Sequence, residues 1–161
     1  GRTLVGVNTA HPNRLVEDAI TRGKIPELAD KTKSLRREVK YGRNSRIDIL
    51  LEHNEKKTYI EVKNVHLKRQ ENLAEFPDSV TARGAKHLFE LSEMVSQGHR
   101  AVMFYLIQRH DCKEFSIAAD IDPRYAEALN IAQQNGVETL CYNCKVSTKS
   151  IIVSKPVAIK F

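Results

Sequence analysis

The sequence predicts an α/β domain in which helices flank a mixed β-sheet, and three observations support this prediction. Segments with the 3.6-residue period of amphipathic helices alternate with segments that have the two-residue period of strands. Three consecutive strand-like segments, 35–41, 45–52 and 58–65, are joined by connections of hairpin length, so neighbouring strands should pair antiparallel. The segment 100–108 is almost continuously apolar, which is typical of a strand covered on both faces in the middle of a sheet.

Each remaining element is predicted from its periodicity and its terminal residues. Gly23 and Gly98 would end the first and second helices, because glycine readily adopts the left-handed conformation found after a helix C-terminus. The second helix would be capped by Asp78 or Ser79, and Pro123 would open the third. The predicted helices cover 13–22, 79–97 and 123–134. Further strands are predicted at 1–8, 137–145 and 150–159. The resulting order of elements is βαβββαβαββ.

Length and composition limit the classes of protein to which this chain can belong. Its 161 residues are about the size of one domain, and a hydrophobic content of 41% suffices for one buried core. Lysine and arginine outnumber aspartate and glutamate by 26 to 20, and the resulting net charge of +6 favours a polyanionic partner such as nucleic acid. The longest apolar run, 101–107, is far shorter than the roughly 18 to 20 residues that span a bilayer. We therefore expect no membrane-spanning segment.

The three cysteines indicate a reducing compartment, because an odd number in a chain of this size does not suggest a disulfide framework. We therefore expect a cytoplasmic protein. Cys141 and Cys144 form a CxxC pair that could make a zinc site with His110 and Cys112. The pair lies in a predicted strand, however, where a spacing of three sends side chains to opposite faces. This placement disfavours zinc.

The candidate chemistry lies in the hairpin between the second and third of the three consecutive strands. If the pairing is symmetric about the loop, Asp48 faces Glu61, and directly opposed side chains are close enough for both carboxylates to hold one divalent cation. Two-residue alternation places Lys63 on the face of Glu61. The backbone carbonyl of Val62 is a further candidate ligand, because Mg²⁺ favours carboxylates, carbonyls and water. We therefore predict a Mg²⁺ or Mn²⁺ site with Asp48, Glu61 and Lys63 as catalytic residues.

The preceding hairpin extends this acidic site to a third carboxylate. Symmetric pairing about its loop at 42–44 sets Glu38 across from Asp48 on the same face. Like charges opposite one another are unfavourable in a sheet, so a row of Glu38, Asp48 and Glu61 suggests a bound cation. Glu38 is therefore a fourth candidate catalytic residue.

Two alternatives to this assignment stay open. Alternation also places Lys40, Arg46 and Lys63 on the acidic face, where they would neutralise the row as exposed ion pairs. A second Glu-x-Lys motif, at 38–40, ranks lower, because its acidic partner Asp18 lies in a predicted helix and not on a paired strand.

The predicted donors suit the hydrolysis of a phosphodiester. That reaction needs an in-line water, neutralisation of the charged oxygens and a stabilised leaving oxyanion, which one or two Mg²⁺ ions can supply. Lys63 would orient or deprotonate the attacking water, or it would stabilise the charge of the transition state. Glu38, or Asp18 from the first helix, would assist a second ion.

An acidic residue on one strand and Glu-x-Lys on the next, with flanking helices, resemble the PD-(D/E)xK restriction-endonuclease-like superfamily. The residues around this short motif are a more specific signal than the motif itself. They form the segments 38–42, 45–48, 59–63, 76–78, 83–84 and 86–88. Over nearly the whole chain these segments resemble the sugar fermentation stimulation protein A family, SfsA.

This resemblance implies a restriction-endonuclease-like fold, DNA binding without marked sequence preference and a role in regulating the use of sugars, notably maltose. It also implies an OB-like domain before this one, and because the chain starts within a strand-like segment we expect that domain to precede it in a longer protein. Two DNA-acting alternatives stay open, a metal-dependent nuclease and a DNA-binding regulator that does not cleave. A sugar enzyme ranks last, since no phosphate loop or aromatic platform supports it and tryptophan is absent.

Basic residues near the predicted site are candidates for contacts with DNA phosphates. Three lie on neighbouring turns of the second helix and two lie beside the first hairpin turn. The candidates are Arg83, Lys86, His87, Arg43 and Arg46. His87 could equally be a satisfied surface histidine. Gln108 ends the central strand near the predicted site, and a capping or solvent-exposed role is an alternative of at least equal rank. The sequence leaves open whether the chain forms a homo-oligomer.

Overall fold

The computed structural model describes residues 12–29 and 34–161, and it confirms the predicted α/β fold with helices on a mixed sheet. Its helices are α1 (Pro12–Thr21), α2 (Ala82–Ser96) and α3 (Pro123–Gln134). Its strands are β1 (Ser34–Tyr41), β2 (Ser45–His53), β3 (Lys56–Val65), β4 (Leu67–Gln70), β5 (Leu73–Phe76), β6 (Arg100–Ile107), β7 (Glu114–Ile117), β8 (Glu138–Val146), β9 (Ile151–Pro156) and β10 (Ala158–Lys160). The predicted strand at 1–8 lies outside the described residues.

Among the described residues, a six-stranded mixed sheet forms the centre of the fold, in the order β1-β2-β3-β6-β8-β9. The strands β3, β6 and β8 are parallel, and antiparallel partners extend the sheet on both sides. Side chains of β6 alternate between two cores, with Met103 and Tyr105 in one and Val102 and Phe104 in the other. All four are fully buried, which confirms the prediction of a central strand covered on both faces.

Helices cover both faces of this sheet. α1 packs across β2, β3 and β9, and its Val16 belongs to the core that contains Phe104. We call this the α1 core. α2 and α3 pack against each other on the opposite face, where Leu88 and Leu129 share a core with Tyr105. We call this the α2–α3 core. No helix in the described part of the chain is long and apolar enough to cross a membrane.

A second sheet, which the sequence did not predict, packs into the α2–α3 core. In the described residues it has the order β10-β7-β5-β4, and it contributes Ala74 and Phe115 to that core, which Val157 joins from the residue between β9 and β10. Strands of three or four residues are too short to show a two-residue period, so no local pattern reveals them. The single predicted strand at 150–159 is wrong, because β9 pairs with β8 in the large sheet while β10 pairs with β7 in the small one.

The start of α2 also differs from the prediction, whereas the bounds of α3 agree with it. Asp78 and Ser79 do not cap α2. The cap is Thr81, whose Oγ1 accepts a hydrogen bond from the N–H of Gly84 at 2.9 Å. The N–H of Thr81 in turn donates to Oδ2 of Asp122 at 2.8 Å. Because Asp122 caps α3, a tertiary contact determines where α2 begins, and the local helix-start pattern cannot report it.

The CxxC pair has the predicted orientation in β8. Cys141 lies in the α2–α3 core and Cys144 lies in the α1 core, so the two thiols are on opposite faces of the sheet. Both are buried and neither forms a disulfide. The pair therefore contributes to packing on both sides of β8.

Candidate functional site

The two hairpins that carry the predicted site have the predicted registers. The first pairs Tyr41 with Ser45, and the second pairs Ile49 with Ile60. Both are symmetric about the expected loop centres. The ladder between β1 and β2 is interrupted at Asp48. The ladder between β2 and β3 runs from the hairpin turn to the pair of Ile49 with Ile60 and does not reach Asp48. Asp48 is therefore the position where regular pairing gives way.

This break accompanies a change of face in β2. Ile47 packs into the α2–α3 core and Ile49 packs into the α1 core, although strict alternation would put both on one side. In β1, Glu38 has a φ of 56°, in the left-handed region that few residues other than glycine adopt. The premise of regular alternation is therefore wrong at Glu38, whereas its membership of the acidic row stays a prediction, since Nδ2 of Asn13 contacts both Glu38 and Asp48. Glu38 is exposed, and its Oε1 lies 3.4 Å from Nδ2 of Asn13.

Asp48 is held by one contact from the neighbouring strand and one from α1. Its Oδ2 accepts from the backbone N–H of Val62 at 2.7 Å, and its Oδ1 accepts from Nδ2 of Asn13 at 3.1 Å. The carboxylate takes the place of the backbone carbonyl that a continued ladder would offer to Val62. Burial and the negative charge of Glu61 raise the pKa of Asp48 to about 6. Sequence reasoning missed Asn13, since a helix-to-strand contact leaves no periodic signal.

Glu61 has one carboxylate oxygen in polar contacts and one without any. Its Oε1 lies 3.1 Å from Nζ of Lys63 and 2.8 Å from Nδ1 of His87. Its Oε2 is buried and has no hydrogen-bond partner in the described chain, and we call it the free oxygen of Glu61. Burial acts to raise the pKa of this carboxyl, but the hydrogen bond from His87 and the charge of Lys63 outweigh burial and lower it. Glu61 therefore stays ionised beside an Asp48 that takes up a proton near pH 6.

His87 lies within the site, so its prediction as a surface histidine is wrong. The residue is 5% exposed, and its Nδ1 is also 3.2 Å from Nζ of Lys63. Its contact with DNA stays a prediction. The helical period could have predicted that His87 is buried, because it is next to Leu88 and one turn before Leu91 on the apolar face of the helix.

The other predicted DNA contacts surround the β1–β2 turn and the first turns of α2. Arg43, Arg46 and Arg83 are exposed, and none is in an ion pair within residues 12–29 and 34–161. Lys86 is engaged in contacts of its own. Its Nζ donates to the carbonyl of Arg43 at 2.9 Å and lies 3.5 Å from Oε1 of Glu90, while the side chain remains 49% exposed. Lys86 therefore ties α2 to the turn.

Glu90 is a buried acid that sequence reasoning missed. It is 3% exposed, and its Oε1 accepts from Oγ of Ser45 at 2.9 Å. Gly42 permits this approach, because a Cβ there would lie 2.5 Å from Oε2 of Glu90. Burial, then the charge of Glu61 and then that of Glu90, raise the pKa of Tyr41 well above its usual range. Glu90 therefore anchors the β1–β2 turn against α2 at the border of the acidic site.

Two further predicted residues lie outside the contacts of the site. Asp18 in α1 pairs with Arg22, the residue that follows the helix, at 3.0 Å. Gln108 is fully buried, so its predicted solvent-exposed role is wrong. Among the three cations that could neutralise the acidic row, Lys63 is the one that forms an ion pair with it in the described residues. The site therefore consists of the β2–β3 acids together with groups from α1 and α2.

The donor set fits a hard divalent cation that keeps part of its water shell. In the described ranges no group of three His, Cys, Asp or Glu side chains converges, so these residues provide no complete cage. Mg²⁺ is ordinarily held by one or two carboxylates together with carbonyls and water. Asp48 and the free oxygen of Glu61 supply two such groups. A buried, ionised oxygen without a partner is costly, and a cation would offset that cost.

Comparison with known families and proteins gives consistent matches. Residues 10–150 match a family model described as "Sugar fermentation stimulation protein RE domain". A sugar fermentation stimulation protein homolog from Rhodospirillum centenum is 60% identical over 154 residues, which cover 95% of this chain and 66% of the relative. One from Brucella anthropi is 56% identical over 159 residues, which cover 98% of this chain and 68% of the relative. The chain therefore spans about two thirds of the length of these relatives.

A solved structure shares the fold. The structure of Pyrococcus furiosus SfsA in complex with Ca²⁺ superimposes with a TM-score of 0.89 at 26% sequence identity. The match covers 99% of this chain and 68% of that one. The arrangement of helices and sheets described above is therefore also that of a solved SfsA structure.

Proposed function

We propose, because this chain belongs to the sugar fermentation stimulation protein (SfsA) family and carries this site, that it is a divalent-metal-dependent nuclease domain. Its reaction would be the hydrolysis of phosphodiester bonds in DNA with little sequence preference. The proposal rests on the different environments of the two carboxylate oxygens of Glu61. One of its oxygens is in contact with Lys63 and His87, while the free oxygen is buried without a partner and the charge of Glu61 raises the pKa of Asp48.

Asp48, Glu61 and the carbonyl of Val62 would hold Mg²⁺ or Mn²⁺. In an extended strand a residue's N–H and C=O point to the same neighbour. Since the N–H of Val62 donates to Asp48, its carbonyl is directed to the same gap beyond the end of the β2–β3 ladder. Ca²⁺ in the Pyrococcus furiosus relative supports a divalent site in this fold, because Ca²⁺ and Mg²⁺ both prefer oxygen ligands.

The protein's own groups would divide the chemical work. A bound divalent ion would supply charge neutralisation and a more acidic water. Lys63 is 16% exposed in its side chain and donates to Glu61, so its ammonium is close to both the donors and the solvent. From there it can orient a water molecule or stabilise the charge that develops on the phosphate. Asn13 keeps the carboxylate of Asp48 directed toward the gap.

The exposed arginines would bind the DNA backbone. Arg43, Arg46 and Arg83 carry no ion pair in the described chain, so binding a phosphate would not require breaking one. Phosphate contacts position a nucleic acid without identifying its bases, which accounts for little sequence preference. Arg83→Ala should weaken binding to all sequences alike and reduce the slope of log affinity against log salt by about 1. Titrations at several salt concentrations measure that slope.

A second candidate is a DNA-binding regulator of sugar metabolism, notably of maltose, that does not cleave. The family's name, which refers to sugar fermentation, favours this alternative. The exposed arginines would serve it equally well. The two candidates differ in their use of Asp48 and Lys63, because a regulator that does not cleave has no need of a lysine in contact with a buried acid.

Nuclease assays on substituted proteins separate these candidates. Wild type, Asp48→Ala and Lys63→Ala are incubated with labelled single- and double-stranded DNA, with Mg²⁺, Mn²⁺ or EDTA. Glu127→Ala and Lys145→Ala serve as matched controls, because both residues are exposed on elements far along the chain from the site. We expect metal-dependent cleavage that both site substitutions abolish and both controls retain. Cleavage that survives Asp48→Ala and Lys63→Ala would overturn the site. Salt-sensitive binding without cleavage in any metal would establish the regulator.

A further inference from the structure

The environment of Glu61 assigns different tasks to its two oxygens. Three polar groups form a closed triangle at Oε1: His87 Nδ1 is 2.8 Å from that oxygen, Lys63 Nζ is 3.1 Å from it, and the two nitrogens are 3.2 Å apart. Oε2 has no such contact in the chain as described. The carboxylate can rotate about its own axis, so this asymmetry requires groups that hold one oxygen in place.

Lys63 by itself cannot provide that asymmetry. Its ammonium has three donors on a flexible stem and interacts as a point charge. It can therefore attract either oxygen of Glu61 or both. The imidazole of His87 is rigid, and a ring N–H at Nδ1 has one direction. In the tautomer that carries its proton on Nδ1, the ring is a donor of fixed direction to Oε1 and keeps Oε2 turned away from Lys63; in the other tautomer Nδ1 would accept from Lys63 instead.

The backbone of α2 that carries His87 is held in place by the cap of α2 and by the contact of α2 with α3. Thr81 caps α2 through Gly84, and Asp122 accepts from Thr81 while capping α3. Gly84 sits so close to Tyr125 that an added Cβ would lie 3.0 Å from its ring. The position of the imidazole is therefore set by the packing of α2 against α3, independently of any ligand.

We propose that His87 is a positioning residue for the metal site: it fixes the carboxylate of Glu61 so that Oε2 is presented to a divalent cation. This inference rests on the proposed function, and it assigns to His87 a task different from contact with DNA. Groups that hydrogen-bond to a metal-binding carboxylate fix its orientation, and losing one typically costs about 10- to 100-fold in metal affinity. Without His87, Lys63 would compete with the cation for both oxygens.

Two isosteric comparisons test the role of Nδ1. In His87→Asn the amide nitrogen is as many bonds from Cα as Nδ1 is, so a donor remains at Oε1. In His87→Gln the amide nitrogen is one bond farther away, although the side chain is similar in size and polarity. His87→Ala removes the donor altogether. The exposed His110 provides a matched control as His110→Ala.

The measurement is the affinity for Mn²⁺ alone, from the electron paramagnetic resonance signal of free Mn²⁺. We expect His87→Ala and His87→Gln to bind Mn²⁺ about 10- to 100-fold more weakly than wild type. His87→Asn should recover most of that loss, and His110→Ala should match wild type. Binding of DNA in EDTA should be the same in every variant, because the phosphate-binding arginines are untouched.

Each other outcome has a defined meaning. Wild-type affinity in His87→Ala, or His87→Asn binding as weakly as His87→Gln, would overturn the positioning role while leaving the proposed function intact. If His87→Ala does not fold, the comparison of His87→Asn with His87→Gln decides alone. A wild-type protein that binds no Mn²⁺ and cleaves no DNA would instead remove the proposed function, and the inference with it.

Discussion

Replacing Asp48 with asparagine should change how the stability of the metal-free protein depends on pH. In the folded protein, burial and the charge of Glu61 raise the pKa of Asp48 from 3.8 to about 6. In the unfolded chain the carboxyl titrates near its ordinary value. Between the two values the folded protein holds a proton that the unfolded chain has released, so the wild type loses stability as the pH rises through this window. Asparagine keeps an acceptor for Val62 and has no proton to lose.

The magnitude follows from the two pKa values. One pKa unit corresponds to about 1.4 kcal/mol, so a shift from 3.8 to about 6 costs the ionised folded protein about 3 kcal/mol. Part of this cost is already present at pH 4. The free energy of unfolding of Asp48→Asn should therefore increase by about 2 kcal/mol relative to wild type between pH 4 and pH 7.

Urea unfolding in EDTA at several values between pH 4 and pH 7 measures this difference. Asp111→Asn is a control of opposite sign, because the hydrogen bond from Arg109 lowers the pKa of Asp111 from 3.8. A lowered pKa stabilises the folded protein above pH 3.8, and this stabilisation is lost only at lower pH. The difference in free energy of unfolding between Asp111→Asn and wild type should therefore stay constant between pH 4 and pH 7. A difference for Asp48→Asn that is equally constant, or that decreases with pH, would refute the argument.

Three further predictions concern the same region and its supports. Protons should compete with Mn²⁺ for Asp48, so affinity should fall about tenfold between pH 7 and pH 5, and pH-independent affinity in a titration would exclude Asp48 as a ligand. Gly42→Ala and Gly23→Ala should each lower the free energy of unfolding by about 1–2 kcal/mol, because both glycines have a left-handed backbone that alanine adopts at a cost. Gly42→Ala should lower the free energy of unfolding by at least about 1 kcal/mol more than Gly23→Ala, because its Cβ would contact buried Glu90 whereas that of Gly23 would meet open space. Equal losses in urea unfolding would show that Glu90 moves aside without cost. Asp122→Ala removes an acceptor shared by the first turns of α2 and α3 and should cost about 1–3 kcal/mol in thermal or urea unfolding, and a loss below about 0.5 kcal/mol would contradict that anchoring role.

Local patterns in the sequence were sufficient for the parts of the fold that depend on neighbours in the chain. The registers of both hairpins follow from the symmetry of their loops, and this symmetry alone predicted Asp48 opposite Glu61. Alternation in β3 placed Glu61 and Lys63 together, and the two are in contact. The buried central strand and the bounds of α3 were also predictable, because continuous apolar residues and a proline start are local signals.

What the sequence by itself determined was therefore the acid pair with its lysine; the tertiary structure decided which groups surround it. Asn13 reaches Asp48 from α1, and His87 reaches Glu61 from α2, across distances in the chain that no periodicity spans. Glu38 lies beside Asp48 at Asn13, but regular alternation does not place it there, because its backbone turns to the left-handed region where β2 changes face. Hairpin registers are set by short-range pairing, whereas the free oxygen of Glu61 depends on how two helices pack on opposite sides of one sheet.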